Sequence, residues 1–359
     1  MRGIDLRDQN YQAYDHEKKR QLHQSVLTAF DLYNFLPQTT NADIDEIFQS
    51  KRIREIAIKY KAVSEDSMRI GKWLAAEVGL NPVDYADMDA VAADETAMNA
   101  VVESETVMNV IAASEIARDA IWNSSLAWDK VKVSNMAIGK YIAGAAGLNP
   151  VDYADMDAVA ADETAMNAVV ESETALNAIE ASETALNIVV ESETAMNVIA
   201  ASETAMDFSW HSDTVRQKMW TSPIARLAIW NNIEILRAVT VTDGPNLISE
   251  TELNVDADAG LLTKESKTEG SGDWTAVNID DGNKYIAFIH FRSRLETDWY
   301  QGKIASYDQT TDLLTINGGS DISRGTVGKT SNGLWVWFHD NAPSNSSSSS
   351  YARVWYIKV

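Results

Sequence analysis

The chain has no cysteine, and only six prolines and 17 glycines in 359 residues. Disulfides are excluded, so any toughness must come from packing or assembly. Positive charge is scarce, with 30 Lys/Arg against 53 Asp/Glu and a formal net charge of −23. No apolar stretch approaches the length of a transmembrane helix, so no membrane insertion is expected. The opening "MRGIDLRDQNYQAYDHEKK" is charged throughout and lacks the apolar core of a signal peptide, which points to synthesis in a cytoplasm.

Chemistry is thin as well. The five histidines (His16, His23, His211, His290, His339) show no ligand spacing. "DDGN" (Asp280–Asn283) lacks the further spaced ligands of a calcium loop and reads as a hairpin turn. No glycine-rich phosphate loop or nucleophile elbow is present. Neither catalysis nor a cofactor is expected.

What is abundant is repetition. Ten-residue units start at Asp84, Asp94, Ser104, Ser114, Ser124 and Ser134, then at Asp152, Asp162, Ser172, Ser182, Ser192, Ser202, Ser212, Ser222 and Asn232. All 15 first positions are Ser, Asp or Asn, the side chains that cap helix N-termini by accepting from free backbone N–H groups. The second position is acidic in nine, favourable at the positive end of a helix dipole, and is Pro223 in another, suited to a first turn. Each decad reads as a fresh helix start, with Ser104, Ser114, Ser172, Ser182, Ser192, Ser202 and Ser222 as expected caps.

The fourth position is apolar in 13 decads and the eighth in 14, and these two share a helix face. Ten residues at about 100° each leave that face about 80° short of three full turns, far beyond the drift of about 20° that heptads tolerate. An unbroken helix would wind its apolar stripe around itself. Short helix, turn, short helix is the expectation, and such a helix needs copies of itself to survive in water. A solenoid unit usually has at least about 20 residues, so the decad as unit points instead to several chains wound around one axis. The array is also acidic: residues 73–210 carry four Lys/Arg against 24 Asp/Glu, which argues against nucleic-acid binding. Above the decads lies a larger duplication, Met68–Glu115 and Met136–Glu183 matching at 38 of 48 positions, with "GLNPV" as punctuation.

Decads of the form "SETAMNAVVE", joined to a β-rich C-terminal part, resemble the head and tail fibre proteins of tailed bacteriophages. The resemblance implies a homotrimer whose stem is a supercoil of helix-turn-helix units, an N-terminal part that holds other virion proteins, and a distal head that faces the host. The expected organisation is fibrous and multidomain: a helical attachment domain at 1–63, a trimeric stem and neck at 64–240, and an all-β sandwich head at 241–359.

Residues 1–63 carry helical patterns at Gln21–Leu36 and Ala42–Tyr60 with nearly balanced charge, suited to docking on other proteins; a small helical cap that trimerises the stem is the plain alternative. After Ala238, short β-branched and aromatic runs are separated by Gly, Asn, Asp and Ser. Trp335 and Trp337 alternate onto one strand face and Val336 and Phe338 onto the other. Trp210, Trp220 and Trp230 each fill the ninth decad position, marking a neck. Trp299, Tyr300, Trp335, Trp337, Tyr351 and Trp355 are candidates to stack on a receptor sugar, against the ordinary role of strand aromatics as core. "SNSSSSS" (Ser344–Ser350) reads as a loop tip. The expected function is a virion fibre that mediates host adhesion through a surface glycan or protein. A passive collar or capsid decoration is the alternative, and a tail depolymerase the enzyme-class rival.

Overall fold

The computed structural model describes residues 45, 48–59, 66–242, 247–248, 250–268, 272–292, 300–305, 314–318, 323–340 and 351–359. The expected helix Gln21–Leu36 and the serine run 344–350 lie outside them, as does most of the expected attachment domain. The chain divides into two compact units, one comprising 1–145 and 149–154, the other 146–148 and 155–359. The division falls inside the array of short helices, not at 63/64 or 240/241.

The first unit holds α1 (Lys51–Lys59), α2 (Ser67–Glu77), α3 (Met88–Ala92), α4 (Glu95–Val102), α5 (Glu105–Ala113), α6 (Glu115–Asn123), α7 (Ser125–Val131) and α8 (Asn135–Ala145). The second holds α9 (Met156–Ala161), α10 (Glu163–Val170), α11 (Glu173–Glu180), α12 (Glu183–Glu191), α13 (Glu193–Ala201), α14 (Glu203–His211), α15 (Asp213–Thr221), α16 (Pro223–Asn231), α17 (Ile233–Thr240) and α18 (Glu250–Asp258), followed by sheets.

The decad is one helix, and its first residue is the cap. Ser104, Ser114, Ser172, Ser182, Ser192, Ser202 and Ser222 all have extended backbone, and each hydroxyl accepts from the N–H three residues on, at 3.1 to 3.4 Å. Asp94 and Asp162 do the same with a carboxylate. An extended residue every ten bends the chain, so each helix starts on a new heading. Three decad starts behave otherwise. Asp84 and Asp152 sit in 3-10 turns (Pro82–Asp84 and Pro150–Asp152), and the next helix is capped by Asp87 or Asp155 instead. Asn232 ends α16, its side-chain amide donating to the Ala228 carbonyl.

Where the apolar face goes corrects the sequence reading. Within the first unit α3 packs on α6, α4 on α7 and α5 on α8; within the second α9 packs on α12, α10 on α13, α12 on α15, α13 on α16 and α14 on α17. In each of these pairs a helix is covered by the third one after it, in the same chain. The solenoid unit is thus three decads, about 30 residues, inside the usual range of about 20 to 45. The repeat therefore has a partner within the chain, because the repeating unit is three decads and not one. Positions four, five, eight and nine are buried, as at Ala165, Met166, Val169 and Val170. Several caps also tie successive turns together: the hydroxyls of Ser124, Ser192 and Ser222 donate to the carbonyls of Ala92, Ala160 and Val190, 32 residues earlier, at 2.6 to 2.7 Å.

The duplicated "GLNPV" segments are built alike. Gly79 and Gly147 follow α2 and α8 in the left-handed region (φ +80° and +74°), which glycine enters without steric cost. After them the carbonyl of Pro82 or Pro150 accepts from a buried lysine, Lys72 or Lys140, at 3.0 Å in both copies. Lys140, fully buried, also donates to Glu105 at 3.0 Å. Of residues 1–63, α1 is described: its Arg54 donates to Glu77 at 2.7 Å, and Trp73 donates to the Arg54 carbonyl at 3.2 Å.

The second unit ends in antiparallel strands. β1 (Val241–Thr242) pairs β2 (Leu247–Ile248). β3 (Thr263–Thr268), β10 (Tyr351–Lys358), β5 (Tyr285–Arg292) and β8 (Ser323–Thr330) form one sheet in that order; β4 (Gly272–Ile279), β9 (Leu334–Asp340), β6 (Tyr300–Ala305) and β7 (Leu314–Gly318) form the other. Val277, Ala287, Ile289, Ile304, Val336, Phe338 and Val354 from both sheets make one hydrophobic cluster. The turn at Asp280–Asn283 connects strands of different sheets, so it is not the expected hairpin.

Strand β5 of the first sheet is buried on its other face too. Phe288 of β5 meets Trp210 and Trp220, with ring centroids 5.7 and 6.2 Å away. Between helices and sheet lies α18. Its Asp256, fully buried, accepts from Arg216 Nε at 2.7 Å, Arg216 Nη2 at 3.1 Å and Trp220 Nε1 at 2.8 Å. Trp230 completes the join: its indole donates to the Thr330 carbonyl at 3.0 Å, while Lys284 and Lys329 lie over its ring at 4.2 and 4.4 Å.

Two outcomes follow. Ser202→Ala removes one cap and is expected to cost about 1 kcal/mol; Ser222→Ala removes the cap and the bond to Val190 and should cost about twice that, compared by urea denaturation. Asp256→Ala leaves a buried guanidinium short of its main partner and is expected to cost about 3–5 kcal/mol, with a much smaller loss when Arg216→Met is added.

Candidate functional site

Strand β5, "YIAFIHFR", is apolar on both faces because both are covered: Ala287 and Ile289 face the second sheet, while Ile286 and Phe288 are buried on the side of Trp210 and Trp220. Strand β9, "LWVWFHD", has a similar sequence in a different setting. Its Leu334, Val336 and Phe338 enter the shared cluster. Its Trp335 and Trp337 point the opposite way and stay partly exposed. The two indoles thus lie outside the cluster that the sheets share.

The indoles are nearly parallel, with planes 14° apart and centroids 6.2 Å apart. Register supplies their neighbours. Thr275 of β4 and Lys303 of β6 stand opposite Trp337; Asn278 of β4 and Ala305 of β6 stand opposite Trp335. A register shift between Thr275 and Val277 brings both Thr275 and Asn278, three apart in sequence, level with the two tryptophans. Both are exposed, and Lys303 Nζ lies 4.6 Å from the Trp337 ring centroid, a cation–π contact. The result is a stacked indole pair with one cation, one amide and one hydroxyl beside it.

The other sequence candidates scatter. Trp299 lies outside the described residues. Tyr300 is the first residue of β6, in the same sheet as the tryptophan pair, and Tyr351 the first of β10, in the other. Trp355 is fully buried opposite Phe288, on the covered face, and is core and not a contact residue. Lys303, Thr275 and Asn278 were missed, since only strand register shows that they adjoin the tryptophans. In the first unit an unforeseen aromatic group joins Trp122, Trp128 and Tyr141, with centroids 4.6 and 5.4 Å apart. Burial is the main reason that its Tyr141 hydroxyl is pushed up to about 12.

Two polar clusters are structural. Burial works against ionisation of Asp281, but hydrogen bonds from Tyr285 and Asn283 outweigh it and hold the carboxyl at about 2. Glu250, at the start of α18, bridges His290 of β5 and Arg353 of β10, which stand directly opposite one another. Partial burial works to raise its pKa, yet the hydrogen bond and charge of His290, then Arg353, hold it below the ordinary 4.5. Among the described residues no three His, Asp or Glu side chains converge to hold a metal ion, and no helix is long and apolar enough to cross a membrane. A scan against protein-family models and a search of curated proteins each return no match.

Because the Glu250 carboxyl is depressed in the folded state, its contribution is complete above the unfolded value and is lost as pH falls through the folded one. The stability gap between the native protein and Glu250→Gln is therefore expected to be constant near neutrality and to shrink below about pH 4.5. Urea midpoints of both proteins across pH 3 to 7 check this (roughly the carboxylate range).

Proposed function

We propose that the protein is a non-catalytic bacteriophage fibre protein, adhering to the host surface through a C-terminal head that we read as a β-sandwich. In this reading residues 1–63 fix the protein to other virion proteins, the array of short helices is a spacer, and the C-terminal end faces outward. The observation that carries it is the Trp335–Trp337 pair on the outer face of the β4–β9–β6–β7 sheet. Strand order supports it. Apart from the β6–β7 hairpin, the strands alternate between two four-stranded sheets as in a jelly roll, a double-sheet architecture that recurs in capsid and lectin domains. This is an analogy of architecture and carries no ligand with it. Duplication of a 48-residue block suits a spacer, whose property is length, and the acidic array repels neighbouring copies.

The proposed unit is a single chain. Intrachain stacking satisfies the apolar face that had called for three, so the trimer implied by the resemblance is not built on the repeat. A native mass of 39.6 kDa is the expected result; three times that value would show a trimer held by other surfaces.

The functional test incubates the full-length protein with envelopes of candidate host bacteria and follows both sedimentation and release of soluble sugar. Binding without release is expected. Absence of binding to any envelope would favour passive decoration of the particle, and release of sugar would make the protein an enzyme.

A further inference from the structure

We infer that the groove between α10 and α13 is a binding site for a linear polyamine, held through its ammonium groups by Glu163, Glu171 and Glu203; this is independent of the adhesion reading. The groove has a volume of about 630 Å³, within the usual range of about 300–1,000 Å³ for small-molecule sites. The three glutamates are exposed, and among the described residues no lysine or arginine lines the groove. Exposed carboxylates are at ease in water and by themselves ask for no ligand. The duplication supplies the reason to expect one.

Helices α4 and α10 have the same sequence, "ETAMNAVV", and each is packed by the third helix after it, α7 or α13. In the first unit an alkylammonium group already spans this place: Lys130 of α7 donates to Glu95 of α4 at 2.9 Å. The copies are offset by 68 residues (Met68 to Met136), so Glu95 corresponds to Glu163. Lys130 corresponds to Val198, and each holds the seventh position of its decad. The second unit therefore keeps the glutamate and loses the lysine, and it adds Glu203 where the first has Asn135. A lysine is a four-carbon stem ending in one ammonium. Three carboxylates beside the apolar surface of Val170 and Val198 match a longer chain, in which methylene runs alternate with ammonium groups. A metal ion is the poorer match, because among the described residues no three acidic or histidine side chains converge to hold one.

The full-length protein is titrated with spermidine by calorimetry at about 0.15 M salt, which screens diffuse attraction to the acidic array. One bound spermidine per chain is expected, with butylamine, which has a single ammonium, about tenfold weaker or more. Glu163→Gln and Glu203→Gln should each weaken binding about threefold or more. Val198→Lys installs the lysine of the first unit as a tethered competitor and should weaken binding about tenfold or more. Glu183→Gln, on α12 and outside the groove, should leave binding unchanged. The reverse exchange, Lys130→Val, should open a second, weaker site in the first unit, a gain that misfolding does not imitate. A lysine of a second copy is the competing occupant: a native mass of twice 39.6 kDa that falls to 39.6 kDa in Val198→Lys would overturn the inference in its favour. The inference is also overturned if spermidine binds without a defined stoichiometry, if magnesium at equal charge displaces it fully, if Val198→Lys binds as tightly as the native protein, or if Lys130→Val adds no site.

Discussion

A ten-residue helix cannot keep one face toward a neighbour if it continues, because each decad leaves the face about 80° out of register. Interrupting the helix with an extended capping residue resolves this conflict, and the architecture follows from that interruption. The serine hydroxyl satisfies the N–H three residues later, so the break does not strand buried backbone donors. Its extended backbone resets the heading, and after three resets the fourth helix covers the first. At Ser192 and Ser222 the same hydroxyl also donates to the turn beneath, 32 residues earlier, so one atom both ends the helix and sets the spacing of the coil. Alanine at the fourth position is then a packing requirement, since that residue is buried in nearly every decad.

A solenoid that buries each helix under a later one has an uncovered last turn. In the second unit that problem is met by enlarging the ninth position to Trp210 and Trp220 and laying a sheet over them. Phe288 fills the gap between the two rings, while the carboxylate of Asp256 collects the polar atoms that bulky aromatics and Arg216 bring into the interior. Strand β5 of the sheet so recruited is buried on both faces, and its residues from Tyr285 to Ile289 are correspondingly apolar. On its companion sheet Trp335 and Trp337 remain partly exposed. The two sheets thus give different meanings to similar strings of residues: in "YIAFIHFR" Phe288 is core, and in "LWVWFHD" Trp335 and Trp337 are partly exposed.

The sequence by itself determined the local structure. Ser, Asp and Asn at fixed ten-residue intervals name the caps and the helix starts, because capping is a contact between neighbours in the chain. The alternation around Trp335 and Trp337 likewise follows from the two-residue period of a strand. The decads at Asp84 and Asp152 were misread by three residues because the proline turn displaces the cap to Asp87 and Asp155. What only the tertiary structure decided is everything that depends on distance along the chain. The bend angle at each cap, absent from any residue list, makes three decads close a turn and so supplies the apolar face with a partner from the same chain. Register between strands, which no single strand encodes, brings Lys303, Thr275 and Asn278 beside the tryptophans. Trp355 and Trp337 are alike in sequence setting, and only the packing of Trp210 and Trp220 against the first sheet makes Trp355 core while Trp337 stays partly exposed.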